Sequence, residues 1–201
     1  MTRPPGVILA GGLSRRMGGG DKCLLALDGR PLLAHVIDRL APQVSRLALN
    51  ANGDPARFAG FGLPVLADGV AGFPGPLAGV LAGLDWAAAE GAACIVTAAA
   101  DTPFFPADLV ARLQAAAGAS GLALAATPDP VRGLSRHPTF GLWPVALRED
   151  LRAALHGGLR KVVLWTDAHG AGTALFDAGP PDPFFNVNTA EDLAQAAQVW
   201  S

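Results

Sequence analysis

The chain has 201 residues, 51% of them hydrophobic and 16% charged, with a formal net charge of −2 at pH 7. A chain of this length suits one domain, spanning 1–201, with one large core; it is too apolar for a disordered chain, and its charge gives no support for a nucleic-acid or membrane-surface partner. No basic start leads into an apolar stretch, no window approaches about 18 uncharged apolar residues, and Cys23 and Cys94 match no metal-ligand spacing, so a reduced, cytoplasmic chain is expected.

Gly6–Ala10 (GVILA) is a short continuous apolar run of the kind that forms a buried parallel strand. Pro31 stands at a favourable first helical position, and Leu32, Leu33, Val36, Ile37 and Leu40 then recur on one helical face. Arg46–Asn50 and Leu63–Ala67 read as the second and third strands. A loop from Asp68 leads to Pro76, which opens a helix through Leu77, Val80, Leu81 and Leu84. Ala93–Ala98 reads as a buried strand that delivers Asp101 just past its end, and Pro106 opens a helix through Leu109, Val110 and Leu113.

Leu122–Thr127 reads as the fifth strand. The pattern then loosens into an expected strand at Thr139–Trp143, helices near Val145–Leu155 and Arg160–Ala168, and a last strand at Thr173–Asp177. Thr189 with Asp192 three residues on has the form of a capping box for a terminal helix. Strands alternating with helices predict an α/β protein, a Rossmann-like three-layer α/β/α sandwich on a mostly parallel sheet. Its ligand site is expected at the carboxyl ends of the strands, where Asn50, Asp68, Asp101 and the loop after the first strand converge.

That loop, LAGGLSRRMGGGDK from Leu9 to Lys22, holds five glycines, two adjacent arginines and a lysine. A Walker A loop needs glycine before its lysine and Ser or Thr after it; here Asp21 precedes Lys22 and Cys23 follows. A dinucleotide fingerprint needs different glycine spacing and an acidic residue ending the second strand, where this chain has Asn50, so a NAD-dependent dehydrogenase is excluded. What remains is a longer cradle: backbone N–H groups at Gly11 and Gly12 forming an anion nest, with Arg15, Arg16 and Lys22 supplying positive charge. Arginine outnumbers lysine 13 to 2, a bias of the kind that a GC-rich genome produces, so the retention of Lys22 suggests that a compact point charge is needed there.

These residues resemble the signature loop of nucleotidyltransferases that activate cofactors and sugars, and the doubled glycine and double arginine are most similar to the molybdenum cofactor guanylyltransferase family. The likeness continues in order through Leu49–Asn52 (LNAN), Phe73–Gly79 (FPGPLAG), Asp101-Thr-Pro103, His137-Pro-Thr139 and Phe185–Thr189 (FNVNT), over nearly the whole chain. The resemblance implies the nucleotide-diphospho-sugar transferase type of fold and the transfer of GMP from GTP to the terminal phosphate of molybdopterin, with or without molybdenum, releasing pyrophosphate. It implies Mg²⁺ as cofactor, with molybdenum-insertion proteins and molybdoenzyme chaperones as hand-off partners.

On that resemblance Asp101 is the expected magnesium ligand, since Mg²⁺ favours one or two carboxylates plus substrate phosphates. Arg16 and Lys22 would neutralise the triphosphate, making Lys22, Arg16 and Asp101 the catalytic set. Leu9, Ala10, Gly11, Gly12, Lys22, Asn50, Asp68 and Asp101 would bind GTP, and Asn186 and Asn188 would bind the pterin side. His137 stands either beside that substrate or merely in a turn, and Lys161, which follows Arg160, is expected on a solvated helix face, with contact to a phosphate as the alternative.

Two positions depart from the family: Ala100 where relatives often carry cysteine, which removes thiol chemistry there, and Ala190 where proline is usual, which weakens only a helix start. A CTP-using molybdopterin cytidylyltransferase, or a related sugar or cofactor nucleotidyltransferase, is the nearest enzyme alternative. A non-catalytic nucleotide sensor is the alternative of another class, against which stands the presence of Arg16, Lys22, Asp68 and Asp101 together.

Overall fold

The computed structural model describes residues 2–11, 21–70 and 75–200. The elements in chain order are β1 (Gly6–Leu9), β2 (Ala26–Leu27), β3 (Arg30–Pro31), α1 (Leu32–Leu40), β4 (Leu47–Asn50), β5 (Val65–Leu66), α2 (Pro76–Ala89), β6 (Cys94–Ala99), α3 (Leu109–Ala116), β7 (Ala123–Asp129), β8 (Gly133–Pro144), α4 (Arg148–His156), α5 (Val162–Ala168), β9 (Gly172–Leu175) and α6 (Ala190–Trp200). The main sheet has seven strands in the order β5-β4-β1-β6-β8-β7-β9. Its paired neighbours are parallel except where β8 runs antiparallel to both β6 and β7. Of the cradle residues, Gly11 and Lys22 are described, but Gly12, Arg15 and Arg16 lie outside the described residues, as do Phe73 and Pro74.

Helices cover both faces, as the strand–helix alternation predicts. β1 is buried along its whole length and sends alternate side chains to opposite layers. Ile8 packs with Leu33, Val36 and Leu40 of α1 and with Leu109, Val110 and Leu113 of α3. Val7 and Leu9 pack with Leu77, Val80, Leu81 and Leu84 of α2, Leu151 and Leu155 of α4, and Val162 and Trp165 of α5. Both indole N–H groups of the second layer are satisfied: Trp143 Nε1 donates to Thr97 Oγ1 and Trp165 Nε1 to Asp150 Oδ1, each at 2.8 Å.

Two elements depart from the sequence expectation. The strand at Thr139–Trp143 is the end of a longer β8, whose first half contains no buried residue and carries Pro138. Proline is tolerated because the ladder is broken there: Leu124 pairs with Gly141 and Ala125 with His137, leaving residues 138–140 opposite no β7 partner. The second is the β2–β3 hairpin, in a stretch to which the sequence reading assigns no element; Pro31, expected at the first helical position, is instead the last residue of β3 and stands at the N-cap of α1. The turn residues of the hairpin, Asp28 and Gly29, both have positive φ (50° and 71°), and an Asp-Gly pair is the strongest short-range hairpin signal.

A third, smaller cluster joins this hairpin to the C-terminal segment. It buries Leu27, Leu32, Phe104, Val187 and Ala196. The capping box at α6 forms as expected, with Asp192 N–H donating to Thr189 Oγ1 at 3.1 Å and Thr189 N–H donating back to Asp192 Oδ2 at 2.8 Å. The Asp192 carboxyl is held below its usual range chiefly by the N–H of Asn188, so its support for the fold is present above the unfolded carboxylate range and fades as pH falls through the lowered value. No helix among the described residues is long and apolar enough to cross a membrane.

Candidate active site

Parallel strands deliver their carboxyl ends to one edge, and the backbone ties there are short. Ala10 N–H donates to Asn50 O at 2.9 Å, Ala51 N–H to Leu66 O at 3.0 Å, and Ala100 N–H to Leu9 O at 3.1 Å. Above these ends opens a cleft of about 640 Å³ whose walls include Leu9, Ala10, Gly11, Asn50, Asp68 and Asp101. A smaller recess of about 50 Å³ shares Leu9, Ala10, Gly11 and Asp101 with the cleft and adds Lys22. The cradle lysine and the strand-end aspartate therefore face one space.

At the far side of the cleft, Asp68 is gripped by two amides. Asn50 Nδ2 donates to Asp68 Oδ1 at 2.9 Å and to Leu66 O at 3.0 Å. Asn52 Nδ2 donates to Asp68 Oδ2 at 2.7 Å, while Asn52 Oδ1 accepts from Asp68 N–H at 2.9 Å. Each carboxylate oxygen is thus held in place yet keeps lone-pair capacity for a ligand donor. Asn50 itself is buried, only 3% exposed.

The glycine at position 79 makes this possible. A Cβ there would overlap Asn50 Oδ1, lie 2.8 Å from its Cγ and lie 2.9 Å from Leu9 Cδ2. These are side-chain ends, but Asn50 is buried and its amide is held by Leu66 O and Asp68 Oδ1, so it yields only by giving up those bonds. Gly79→Ala is expected to displace the Asn50 amide and raise KM for the nucleotide at least tenfold, with a stability loss of about 1–3 kcal/mol from overpacking. Steady-state kinetics together with a thermal melt checks both.

At the near side, Lys22 emerges from a turn of 3-10 helix at Lys22–Leu24. Its neighbour Cys23 is buried, and burial aided by the Asp21 carboxylate pushes the thiol up to about 12, so Cys23 is an anchor and not a nucleophile. Lys22 Nζ donates to Asn188 Oδ1 at 2.9 Å. Thr102 Oγ1 donates to Asn186 Oδ1 in a short hydrogen bond, and Val187 N–H donates to Asp101 O at 2.9 Å. Asn186 and Asn188, expected on the pterin side, thus stand against Thr102 and Lys22, with exposed side chains.

Asp101 is partly buried. Burial pushes its carboxyl above the usual range, opposed by the Lys22 ammonium and by hydrogen bonds from its own backbone and from Thr102. Among the described residues no three His, Cys, Asp or Glu side chains cluster as a metal cage. A single carboxylate beside an open recess, with amide oxygens and a lysine adjacent, suits a hard divalent cation that keeps water and phosphate ligands, as Mg²⁺ does. It does not suit a structural zinc site.

His137 sits elsewhere in the fold's economy. Its ring stacks on Phe184 with centroids 4.2 Å apart, its Nε2 pairs with Thr127 Oγ1 at 3.0 Å, and burial lowers its pKa. It does not line the cleft, whereas Thr139, two residues on, does. Sequence reasoning gave no role to Asn52 or Arg57, and it read Thr102 only as part of the turn that fixes Asp101, without its bond to Asn186. Asn52 lay inside a family-like block without a role assigned, and nothing in the local pattern singled out Arg57, which lines the cleft from a 3-10 turn at Pro55–Phe61.

A Rossmann-like sheet with Gly11, Lys22, Asp68 and Asp101 gathered at its carboxyl edge defines a nucleotidyltransferase. The family model for the MobA-like NTP transferase domain matches residues 6–170. A molybdenum cofactor guanylyltransferase of Bradyrhizobium sp. (strain ORS 278) is 57% identical, covering 98% of this chain and 93% of its own length, and one of Rhodopseudomonas palustris (strain BisB5) is 55% identical, covering 97% and 93%. Among solved structures, the molybdopterin-guanine dinucleotide biosynthesis protein A of Archaeoglobus fulgidus superposes with a TM-score of 0.71 at 20% identity, over 98% of each chain. The 4-diphosphocytidyl-2C-methyl-D-erythritol synthase of Anaerococcus prevotii superposes with a TM-score of 0.76 at 12% identity, over 99% and 96%. The chain belongs to the molybdenum cofactor guanylyltransferase family, within the MobA-like NTP transferases.

Proposed function

We propose that the protein transfers GMP from GTP to the terminal phosphate of molybdopterin or its molybdenum-loaded form, in the cytoplasm. The observation that carries this reading is the shared recess: Lys22 and Asp101 flank one space that opens onto the Asn50–Asp68 end of the cleft. A terminal phosphate oxygen bonds to the α-phosphorus of GTP, and the bond from that phosphorus to the bridging oxygen of pyrophosphate breaks. A phosphate monoester has its second pKa near about 6 and is largely dianionic at neutral pH, so no strong general base is required. The protein's task is to align two polyanions and to stabilise the departing charge.

Asp101 would hold Mg²⁺, with Asn186 and Asn188 amide oxygens nearby. The bound ion supplies Lewis-acid neutralisation of phosphate oxygens. Lys22 delivers its ammonium to the triphosphate, with Arg16 assigned to the same polyanion, and Gly11 and Gly12 offer backbone N–H groups. Leu9 and Ala10 border the base through their backbone. Guanine presents N1–H and an exocyclic amine as adjacent donors, and a carboxylate fixed by two amides, as Asp68 is, suits that pair. Cytosine offers a single donor beside an acceptor. His137 is assigned only to the shape of the acceptor side, through Phe184.

The test is incubation of the protein with Mg²⁺, molybdopterin and each nucleoside triphosphate in turn. Pyrophosphate release with GTP is expected; release with CTP alone would overturn the choice of base. Molybdenum-insertion proteins and molybdoenzyme chaperones are the proposed recipients of the product.

A further inference from the structure

Arg57 joins the two ends of the cleft. Its Nη2 donates to Asn52 O at 2.6 Å, and its Nε pairs with Asp21 Oδ2 at 3.2 Å. Asn52 is the residue that grips both the carboxylate and the N–H of Asp68. Asp21 is the residue directly before Lys22. The guanidinium also lies over the Phe58 ring, 4.9 Å from its centroid, and Phe58 is buried at 1% exposure, so the fork is held against core. Gly53, between the two ends, turns at φ +86°, and a Cβ there would sit 3.5 Å from Arg57 Nη1. That is ordinary van der Waals distance, so the guanidinium packs against this turn.

Among the described residues no backbone hydrogen bond joins Asp21 to Asn52 directly, although the strands behind them are paired and Ala10 N–H donates to Asn50 O. Asp21 follows the cradle loop, whereas Asn52 follows β4. The side chain of Arg57 is what bridges them, and a planar fork with a fixed angle between its donors transmits position as a flexible ammonium does not.

We propose that Arg57 is a positioning residue that sets the distance between the base-reading clamp at Asp68 and the phosphate-binding cradle at Lys22. This rests on the reading of the cleft as a nucleoside triphosphate site. A ligand that reaches both ends gains affinity over its separate halves only when the two subsites are pre-set at the ligand's own span. Arg57 secures that gain without touching the reacting atoms, and kcat depends on it because small misplacements in a positioned reaction are expensive.

The test is calorimetric binding of Mg²⁺-GTP, guanosine and Mg²⁺-pyrophosphate, with kcat measured alongside, for wild type, Arg57→Ala, Arg57→Lys, Asp21→Asn and the double variant Arg57→Ala/Asp21→Asn. Arg57→Ala is expected to weaken GTP about tenfold and lower kcat by about tenfold or more, while guanosine and pyrophosphate each bind within about twofold of wild type. Asp21→Asn should reproduce this, and the double variant should be no worse than the stronger single change. Arg57→Lys should recover little, since it cannot reach both partners at once.

Unchanged GTP binding in Arg57→Ala would overturn the proposal. So would a parallel loss of guanosine or pyrophosphate, which would mean that Arg57 supports one subsite alone, or additive effects of the two single changes. Should the wild-type protein bind CTP in place of GTP, the assignment of guanine falls, and the same comparison with CTP and cytidine reads the linkage by the same criteria.

Discussion

Asp101→Asn is expected to lower turnover by about three orders of magnitude while leaving the fold as stable as before or more so. The two effects come from one cause. Asp101 stands partly buried at the end of β6, and burial pushes its carboxyl above the usual range. For a carboxyl raised in the folded state, the favourable contribution is present below the unfolded pKa and is lost as pH rises through the folded value. At neutral pH the ionised group therefore works against folding, and asparagine, of the same shape and uncharged, removes that cost. It also removes the anion that a divalent cation needs. Pyrophosphate release and a thermal melt in chelator measure the two together. Turnover above a tenth of wild type would end the assignment of Asp101 to the metal, and a lower melting temperature would contradict the account of its burial.

Lys22→Met keeps most of the apolar stem and deletes the charge. It is expected to lower kcat and kcat/KM together by about 10²–10³-fold, the pattern of an interaction made in the transition state. The recess that Lys22 lines with Asp101 is small, about 50 Å³, and its ammonium is already aimed by the hydrogen bond to Asn188. Lys22→Arg should not restore the rate, because a guanidinium is a broad planar fork and not a compact charge. A rise in KM alone, with kcat preserved, would show that Lys22 only holds the ground-state triphosphate.

The satellite cluster explains why these two residues stay aligned although 79 positions separate Lys22 from Asp101 in the chain. Leu27 follows Lys22, Phe104 follows Asp101, and Val187 lies between Asn186 and Asn188; all three are buried together. Each of these three segments is thus pinned by a nearby apolar residue in one small core. Dense packing of this kind resists displacement.

Much of the architecture was legible because its signals are local. Short apolar runs marked β1, β4 and β6, helical periodicity marked α1, α2 and α3, and the Thr189–Asp192 pair marked the start of α6. Asn50, Asp68 and Asp101 could be gathered on one edge from the strand–helix alternation alone. The less legible parts depend on pairing. The first half of β8 has no apolar alternation, and its proline makes sense only opposite a break in the β7 ladder. The stacking of His137 on Phe184, distant in the chain, is likewise a contact that no local pattern announces.

What the sequence determined by itself was the chemistry: a glycine cradle with a conspicuous lysine, strand-end Asn and Asp residues, and a layered α/β sandwich to hold them. Residue type and short-range periodicity carry that information, since both act within a few positions along the chain. Tertiary structure alone decided which groups serve which. It turned Asn52 toward Asp68, stood Asn188 on Lys22, required glycine at 79 beneath Asn50, and ran Arg57 from Asn52 to Asp21. Each of those contacts joins segments distant in sequence, so their geometry comes from core packing and sheet register, which no local pattern encodes.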